Sequence, residues 1–531
     1  MSIVALSDDT SQSHIEIEDL HRLAASLNFK ITSDKDADVY LLMLRSFESD
    51  VLGGQPREYH KPEPNDNPMN VWSYCCNLAA ARPISDVLKG RSVMIKDSIS
   101  VGGLPTTLGT HPEILSKDEK LPLSPIDVTV VSRLLTAGAV IKSTSTCENF
   151  CASPLLWTSA SGPVYHPLLH GHTAGGSSSG SCALVAANAL VVAGRDSNDS
   201  YTSFGPTAGS VRNPACYTGL YGLKPTFGLV PYTGAASMSP MIDHIGPIAS
   251  SLEDVAVLLK VMAGWDGLDP RMTPESPTEE HVPDYPTLLA SYRASLSKRS
   301  NNTQGTEPVL KVGLLTEAFS VSGLSPDVAK LIKQTTYEAF TAAGASVTTT
   351  SVPMHAEAPV IWTPATRPSI SQWLSQGRPS GYLSYLAPHI APQWPPDQQM
   401  YELLNVSNPA LAKAHRKVFE LRAAYDRALD EVDVLVLPCT PTVSMPHPDL
   451  RENGTGILEK LAPAVGLTSN TCPFNITEHP AMSVPCGTLP VVVEADGERK
   501  EVQMPIVGRR WDDVRVLKAT ALFETGRRTK A

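Results

Sequence analysis

The stretch from Gly171 to Leu229, GHTAGGSSSGSCALVAANALVVAGRDSNDSYTSFGPTAGSVRNPACYTGLYGLKPTFGL, decides the fold. It holds two serine-glycine clusters, Gly175 to Ser181 and Ala208 to Val211, separated by a small-residue apolar run with a helical look. Glycine and serine at this density let backbone amides turn inward and approach a ligand closely, because no Cβ stands in the way. An anion, or a carbonyl becoming one, would be well received there. Gly175 and Gly180 have the spacing of a phosphate-binding loop, but that motif then needs Lys and Ser/Thr, and here Ser181 and Cys182 follow. Gly176, Ser178 and Gly180 satisfy the pattern of a nucleophile elbow centred on Ser178, yet an elbow requires a strand running into it. The preceding YHPLLHGHTA has prolines, histidines and no alternation.

A third reading comes from resemblance. Gly175-Gly176-Ser177-Ser178-Ser179-Gly180-Ser181, Gly194-Arg195-Asp196, Ala208-Gly209-Ser210-Val211-Arg212-Asn213-Pro214-Ala215 and Gly222-Leu223-Lys224-Pro225-Thr226 occur in that order. Together they resemble the signature of the amidase signature family, and the likeness runs over roughly residues 70 to 525. The resemblance implies an α/β fold with a mixed, largely parallel central sheet covered by helices on both faces. It implies hydrolysis of the C–N bond of a small carboxylic amide to acid and ammonia. Among family members, the text looks more like the amidases of small amides and nitrile metabolism than like the enzyme that amidates charged transfer RNA.

By residue match, the resemblance makes Ser210 the nucleophile, Ser177 a bridging serine on a cis peptide and Lys96 the base, the last within Val93 to Asp97. Read without the family, Lys96 is a strand lysine whose ammonium reaches solvent. A lysine that serves as base must be neutral to accept a proton. The backbone amides of Thr207, Ala208, Gly209 and Ser210 match the oxyanion-hole positions, where one donor can be worth about 3 kcal/mol to a transition state. Ser178 is expected to support the triad through hydrogen bonds. Asp196 and Arg212 match structural positions, and a buried Arg212 is expected to have a carboxylate partner. Glu148 is expected to be a structural acceptor and His244 a packed structural histidine.

The sequence departs from the family pattern at one place. Ser197 to Thr207 intervenes between Gly194-Arg195-Asp196 and the serine turn, and Ala208 replaces a glycine. Either this insertion loops out and the enzyme is active, or it displaces the oxyanion hole and leaves a weak or inactive amidase-like protein with a binding or structural role. An esterase or acyl transferase on the same scaffold is a further alternative.

Elsewhere the chain is read from periodicity and composition. Glu16 to Asn28 and Asp36 to Leu52 have apolar residues at helical spacing and form an expected N-terminal helical arm. With the Pro-rich linker after it, the arm occupies residues 1–68. The resemblance suggests that the arm makes a homodimer. The catalytic domain is expected over 69–525, with a surface excursion at 266–304 and a variable region at 354–400 that covers or lines the substrate pocket. Asp127 to Gly138 reads as a helix capped by Asp127 and followed by a strand, which implies parallel pairing. Ser181 to Ala193 reads as a buried central helix whose N-terminus offers free amides near Ser177.

A net charge of -11 without a long basic run argues against nucleic acid or an anionic membrane as partner. The N-terminus lacks the pattern of a secretory signal, and no stretch approaches a spanning helix. Nine scattered cysteines suit reduced thiols in the cytoplasm. Cys147 and Cys151, one turn apart without matching ligands, read as buried small hydrophobes and not as a zinc site. No metal or organic cofactor is expected.

Overall fold

The computed structural model describes the chain outside residues 1–14, 53–56, 117–119, 156, 193–200, 207–208, 238, 300–308, 377–396, 406, 450–455, 491–498 and 531. One sheet of twelve strands runs through it in the order β1-β2-β4-β3-β5-β7-β6-β11-β12-β10-β8-β9. In chain order these strands are β1 (Tyr59–His60), β2 (Trp72–Leu78), β3 (Ser92–Lys96), β4 (Val140–Ser145), β5 (Tyr201–Pro206) and β6 (Tyr221–Lys224). They continue with β7 (Ile245–Ala249), β8 (Lys311–Leu315), β9 (Ser346–Thr350), β10 (Val434–Val436), β11 (Ala481–Pro490) and β12 (Arg499–Val507). Parallel pairing joins β3 to β4 and β5, and β8 to β9 and β10. The other neighbours are antiparallel. The α/β class is as expected, but the sheet is less parallel than expected, because the middle strands β5, β7, β6, β11 and β12 all pair antiparallel with one another.

The continuous apolar text of β3 and β7 suits strands buried on both faces, and each of their residues is buried. Helices Thr129–Thr136, Leu252–Met262, Pro326–Ala342 and Asp513–Lys530 contribute Leu134, Leu258, Ile332, Phe340 and Phe523 to the largest core cluster. A second cluster joins β10 to helices Ala358–Gln376 and Asn408–Glu431 through Ala365, Val418, Leu421 and Tyr425.

Tyr201–Pro206 corrects the reading of residues 197–207 as one insertion. It is a strand in the middle of the sheet, parallel to β3 and antiparallel to β7. β5 leads toward Ser210, while Gly194-Arg195-Asp196 and residues 197–200 lie outside the described residues.

Other boundaries shift as well. The arm folds as helices Ile17–Ser26 and Asp34–Leu52, with Leu20, Ala24 and Ala37 buried. The linker is not free text, since β1 within it forms the edge of the sheet. Arg57 in the same segment forms a two-pronged ion pair with Asp127 at 2.6 and 2.7 Å. That pairing, with the Gly102 N–H donating to the same carboxylate, explains why the Asp127 side chain does not cap the helix, whose N-cap position falls on Val128 without a side-chain cap. The expected excursion at 266–304 includes helix Tyr285–Arg299, whose Tyr285, Leu289 and Leu296 are buried in the large core. The first part of 354–400 is helix Ala358–Gln376, with Pro364 and Pro368 inside it. No helix among the described residues is long and apolar enough to cross a membrane.

Candidate active site

Lys96 is the last residue of β3, buried and directed away from solvent. Its Nζ donates to Ser177 Oγ at 2.7 Å, and the Gly176–Ser177 peptide bond is cis. Glycine is required at the two positions before Ser177. A Cβ at Gly176 would stand 2.7 Å from the Ser153 carbonyl oxygen, and one at Gly175, where φ is +77°, would stand 2.9 Å from Pro214 Cα. The second approach joins the two serine clusters. Pro214 belongs to helix Arg212–Thr218, which begins two residues after Ser210. Ser210 follows the C-terminal end of β5, and Lys96 ends the neighbouring parallel strand β3. Carboxyl ends of adjacent parallel strands are where open α/β sheets place ligands.

Gly209 has φ +96°, and a Cβ there would stand 2.8 Å from Thr471 Oγ1. Gly209 and buried Ser210 thus form a tight turn against the segment Thr471–Ile476. Thr207, Ala208 and Asp196 lie outside the described residues. Helix Ser179–Val192 starts directly after Ser178 and is apolar all round, as expected of a buried helix. Its start does not offer free amides throughout: the Gly180 N–H donates to the Thr146 carbonyl at 3.2 Å. Ser181 Oγ and Ser145 Oγ, 2.6 Å apart, fasten the helix to the end of β4. The sequence gives no hint of this contact, although Ser145 stands opposite Lys96 in the sheet register.

Two supporting residues, Ser178 and Arg212, behave differently from their expected roles. Ser178 Oγ is buried and makes no hydrogen bond among the described residues. Arg212 has no carboxylate partner among the described residues. Its guanidinium is fully buried and donates to the Thr471 carbonyl at 2.9 Å and to the Asn475 side-chain oxygen. Amide dipoles take the place of the anion, and burial lowers Arg212 to about 10. The roles of Glu148 and His244 are structural. Glu148 accepts from the N–H and Oγ1 of Thr158, and His244 Nδ1 meets the Ile242 carbonyl oxygen at 2.8 Å with Phe227 edge-on to its ring.

Asp97, beside Lys96, accepts from the Thr107 N–H at 3.0 Å and from Thr107 Oγ1. Burial raises it to about 7 against the lowering effect of those hydrogen bonds. Its folded-state value lies above the unfolded value near 3.9, so the folded chain binds the proton more tightly. Stability is accordingly expected to fall as pH rises from about 4 to about 7. Asp97→Asn should flatten this slope in melting temperature recorded against pH, and an unchanged slope would remove Asp97 as its source.

Cys151 is the contact that sequence reading missed. Its thiol, read as a buried hydrophobe, is held below the ordinary cysteine range by the Cys147 thiol first and by Lys96 next, against the raising effect of burial. The one-turn spacing of the two cysteines is visible in the sequence. Their nearness to a residue fifty positions earlier requires the fold.

A buried lysine paired with a serine at the carboxyl ends of parallel strands, next to a second serine in a glycine turn, is machinery suited to cleaving an acyl bond. The chain belongs to the Amidase family, whose sequence pattern matches residues 77–517, and is an amide-hydrolysing enzyme. It is 29% identical over 525 residues to an enantioselective amidase of Rhodococcus rhodochrous, covering 94% of this chain and 90% of that one. It is 31% identical over 459 residues to a glutamyl-tRNA(Gln) amidotransferase chain of Methanosarcina barkeri, covering 82% and 84%. Among solved structures, 6-aminohexanoate cyclic dimer hydrolase shares the fold with a TM-score of 0.64 at 21% identity, covering 82% of this chain and 85% of that one. A bacterial aryl acylamidase has a TM-score of 0.62 at 21% identity, with 83% of each chain covered.

Proposed function

We propose that the protein hydrolyses small carboxylic amides to acid and ammonia through an acyl-enzyme formed on Ser210, with Ser177 and Lys96 as the proton path. The observation that carries this reading is the buried 2.7 Å hydrogen bond from Lys96 Nζ to Ser177 Oγ. Ser210 Oγ attacks the amide carbon while its proton passes to Ser177, whose own proton passes to neutral Lys96. Backbone amides of 207–210 receive the oxyanion that develops. Collapse of the tetrahedral intermediate breaks the C–N bond, and Lys96 returns the proton through Ser177 to the departing nitrogen. Water then repeats the sequence on the acyl-Ser210 ester, releasing the acid and restoring the enzyme.

The alignment with the Rhodococcus amidase over nearly its whole length supports an amide as substrate. The placement of β5 supports an active enzyme, because it sets the chain that leads to Ser210 alongside the strand that ends in Lys96. A small fluorophosphonate tests the reading. One adduct is expected, on Ser210, together with ammonia release from simple amides. An adduct on Ser178, or none on folded protein, would overturn it.

A further inference from the structure

A series of buried polar side chains outside the proton path ends beside the turn that carries Ser210. It starts at Tyr425, in helix Asn408–Glu431, whose Oη lies 2.6 Å from His355 Nδ1. His355, in the turn Pro353–Glu357, places its Nε2 2.9 Å from Asn470 Oδ1. Asn470 Nδ2 in turn donates to the Ala318 carbonyl at 3.1 Å, just past the end of β8. This last bond sets the direction of the others. Because the Asn470 amide nitrogen is spent on a carbonyl, its oxygen accepts from His355 Nε2, so His355 Nδ1 carries a lone pair and accepts from the Tyr425 hydroxyl. His355 is therefore neutral, and its burial holds it below the usual histidine range.

Tyr425, His355 and Asn470 are all buried, and Tyr425 and Ala318 belong to the second core cluster. Replacing every partner in such a series by apolar groups of similar shape costs little stability, whereas the fully bonded series fixes one arrangement of the segments it joins. The segment it fixes begins at Asn470. Thr471 Oγ1 stands against Gly209, where a Cβ would come within 2.8 Å of it. The Thr471 carbonyl and the Asn475 side-chain oxygen accept from Arg212, two residues after Ser210. Phe474, between them, packs with its ring centroid 5.0 Å from that of Tyr425 and 6.3 Å from that of His355. The Gly209–Ser210 turn thus rests on a segment that Tyr425 and His355 hold through Asn470 and Phe474.

We propose that His355 is a positioning residue for Ser210: joined to Tyr425 and Asn470, it fixes the segment on which the Gly209–Ser210 turn rests, and so sets the aim of the nucleophile without touching substrate. This rests on the catalytic reading given above. A displacement of about 1 Å at a reacting group can cost about a hundredfold in rate, so a support several residues removed from the nucleophile can govern its reactivity.

The test follows fluorophosphonate labelling of Ser210 in the full-length protein, over a range of reagent concentrations, with three variants. His355→Phe keeps a ring and removes both hydrogen bonds. Its maximal labelling rate should fall about tenfold or more, with the half-saturating concentration held within about twofold and every folded molecule labelled at the end. A merely structural role would instead lower the fraction labelled and leave the rate of the remainder unchanged. His355→Gln, whose amide offers one acceptor and one donor, should recover the rate to within about threefold. Tyr425→Phe removes one hydroxyl and should slow labelling by about threefold or more, which decides the matter if His355→Phe does not fold. An unchanged maximal rate in folded His355→Phe or in Tyr425→Phe, a changed fraction in place of a changed rate, or His355→Gln as slow as His355→Phe would each overturn the proposal. An unmodified protein that takes no label at Ser210 overturns the catalytic reading and this proposal with it, whereas equal labelling in all four proteins overturns this proposal alone.

Discussion

Lys96→Ala is expected to lower kcat/KM for amide hydrolysis by about ten-thousand-fold, a loss of about 5.5 kcal/mol of transition-state stabilisation. The variant removes the acceptor at the end of the proton path, and the described residues offer Ser177 no second base: Ser177 is buried, and its contact is Lys96. His244, the histidine within the family-like text after the serine turn, is occupied at Nδ1 by the Ile242 carbonyl. Ser177→Ala should cost a comparable factor. The double variant Lys96→Ala, Ser177→Ala should then be scarcely worse than either single change, because groups that act as one unit are not additive. Steady-state kinetics on one amide with all three variants checks this. Losses that multiply would show that Lys96 and Ser177 work independently and would sink the relay.

Gly180→Ala is expected to cost about 3 kcal/mol of stability or more. A Cβ at Gly180 would stand 2.6 Å from the Thr146 carbonyl oxygen and 2.7 Å from that of Val71. Both obstacles are backbone, so neither can rotate away, and relief requires the helix to lift from the ends of β2 and β4. The same displacement would stretch the Ser145–Ser181 contact and carry Ser177 away from Lys96. Thermal unfolding and fluorophosphonate labelling should therefore fall together. A stable variant with normal labelling would show that the helix seat is softer than its contacts indicate.

The parts of this protein that are legible in the sequence are those where backbone geometry restricts residue choice. Gly175, Gly176 and Gly209 stand where a Cβ would strike neighbouring atoms, so the glycine-serine clusters announce their turns. The apolar run after Ser181 announces a buried helix. What the sequence does not disclose is pairing between distant segments. Arg57 reaches Asp127 across the linker, and nothing local to Asp127 distinguishes an ion-pair partner from a helix cap. Arg212 finds the Thr471 carbonyl and Asn475, hundreds of positions later, where the expectation of a carboxylate follows only from the cost of burial.

The misreading of Tyr201–Pro206 has a related cause. The polar text SNDSYTS resembles loop, and propensity is a weak guide for a strand held between two partners. Pairing with β3 and β7 makes it sheet. Similarly, the helix Tyr285–Arg299 is concealed by the Pro-rich residues before it, and its buried Tyr285, Leu289 and Leu296 become meaningful only against the helices it covers.

The middle place of β5 in the sheet also marks where the chain tolerates no cut. Its backbone is bonded on both sides, to β3 and to β7, so a proteolytic nick or a splice within 201–206 would open the sheet between the strand that ends in Lys96 and the turn that carries Ser210.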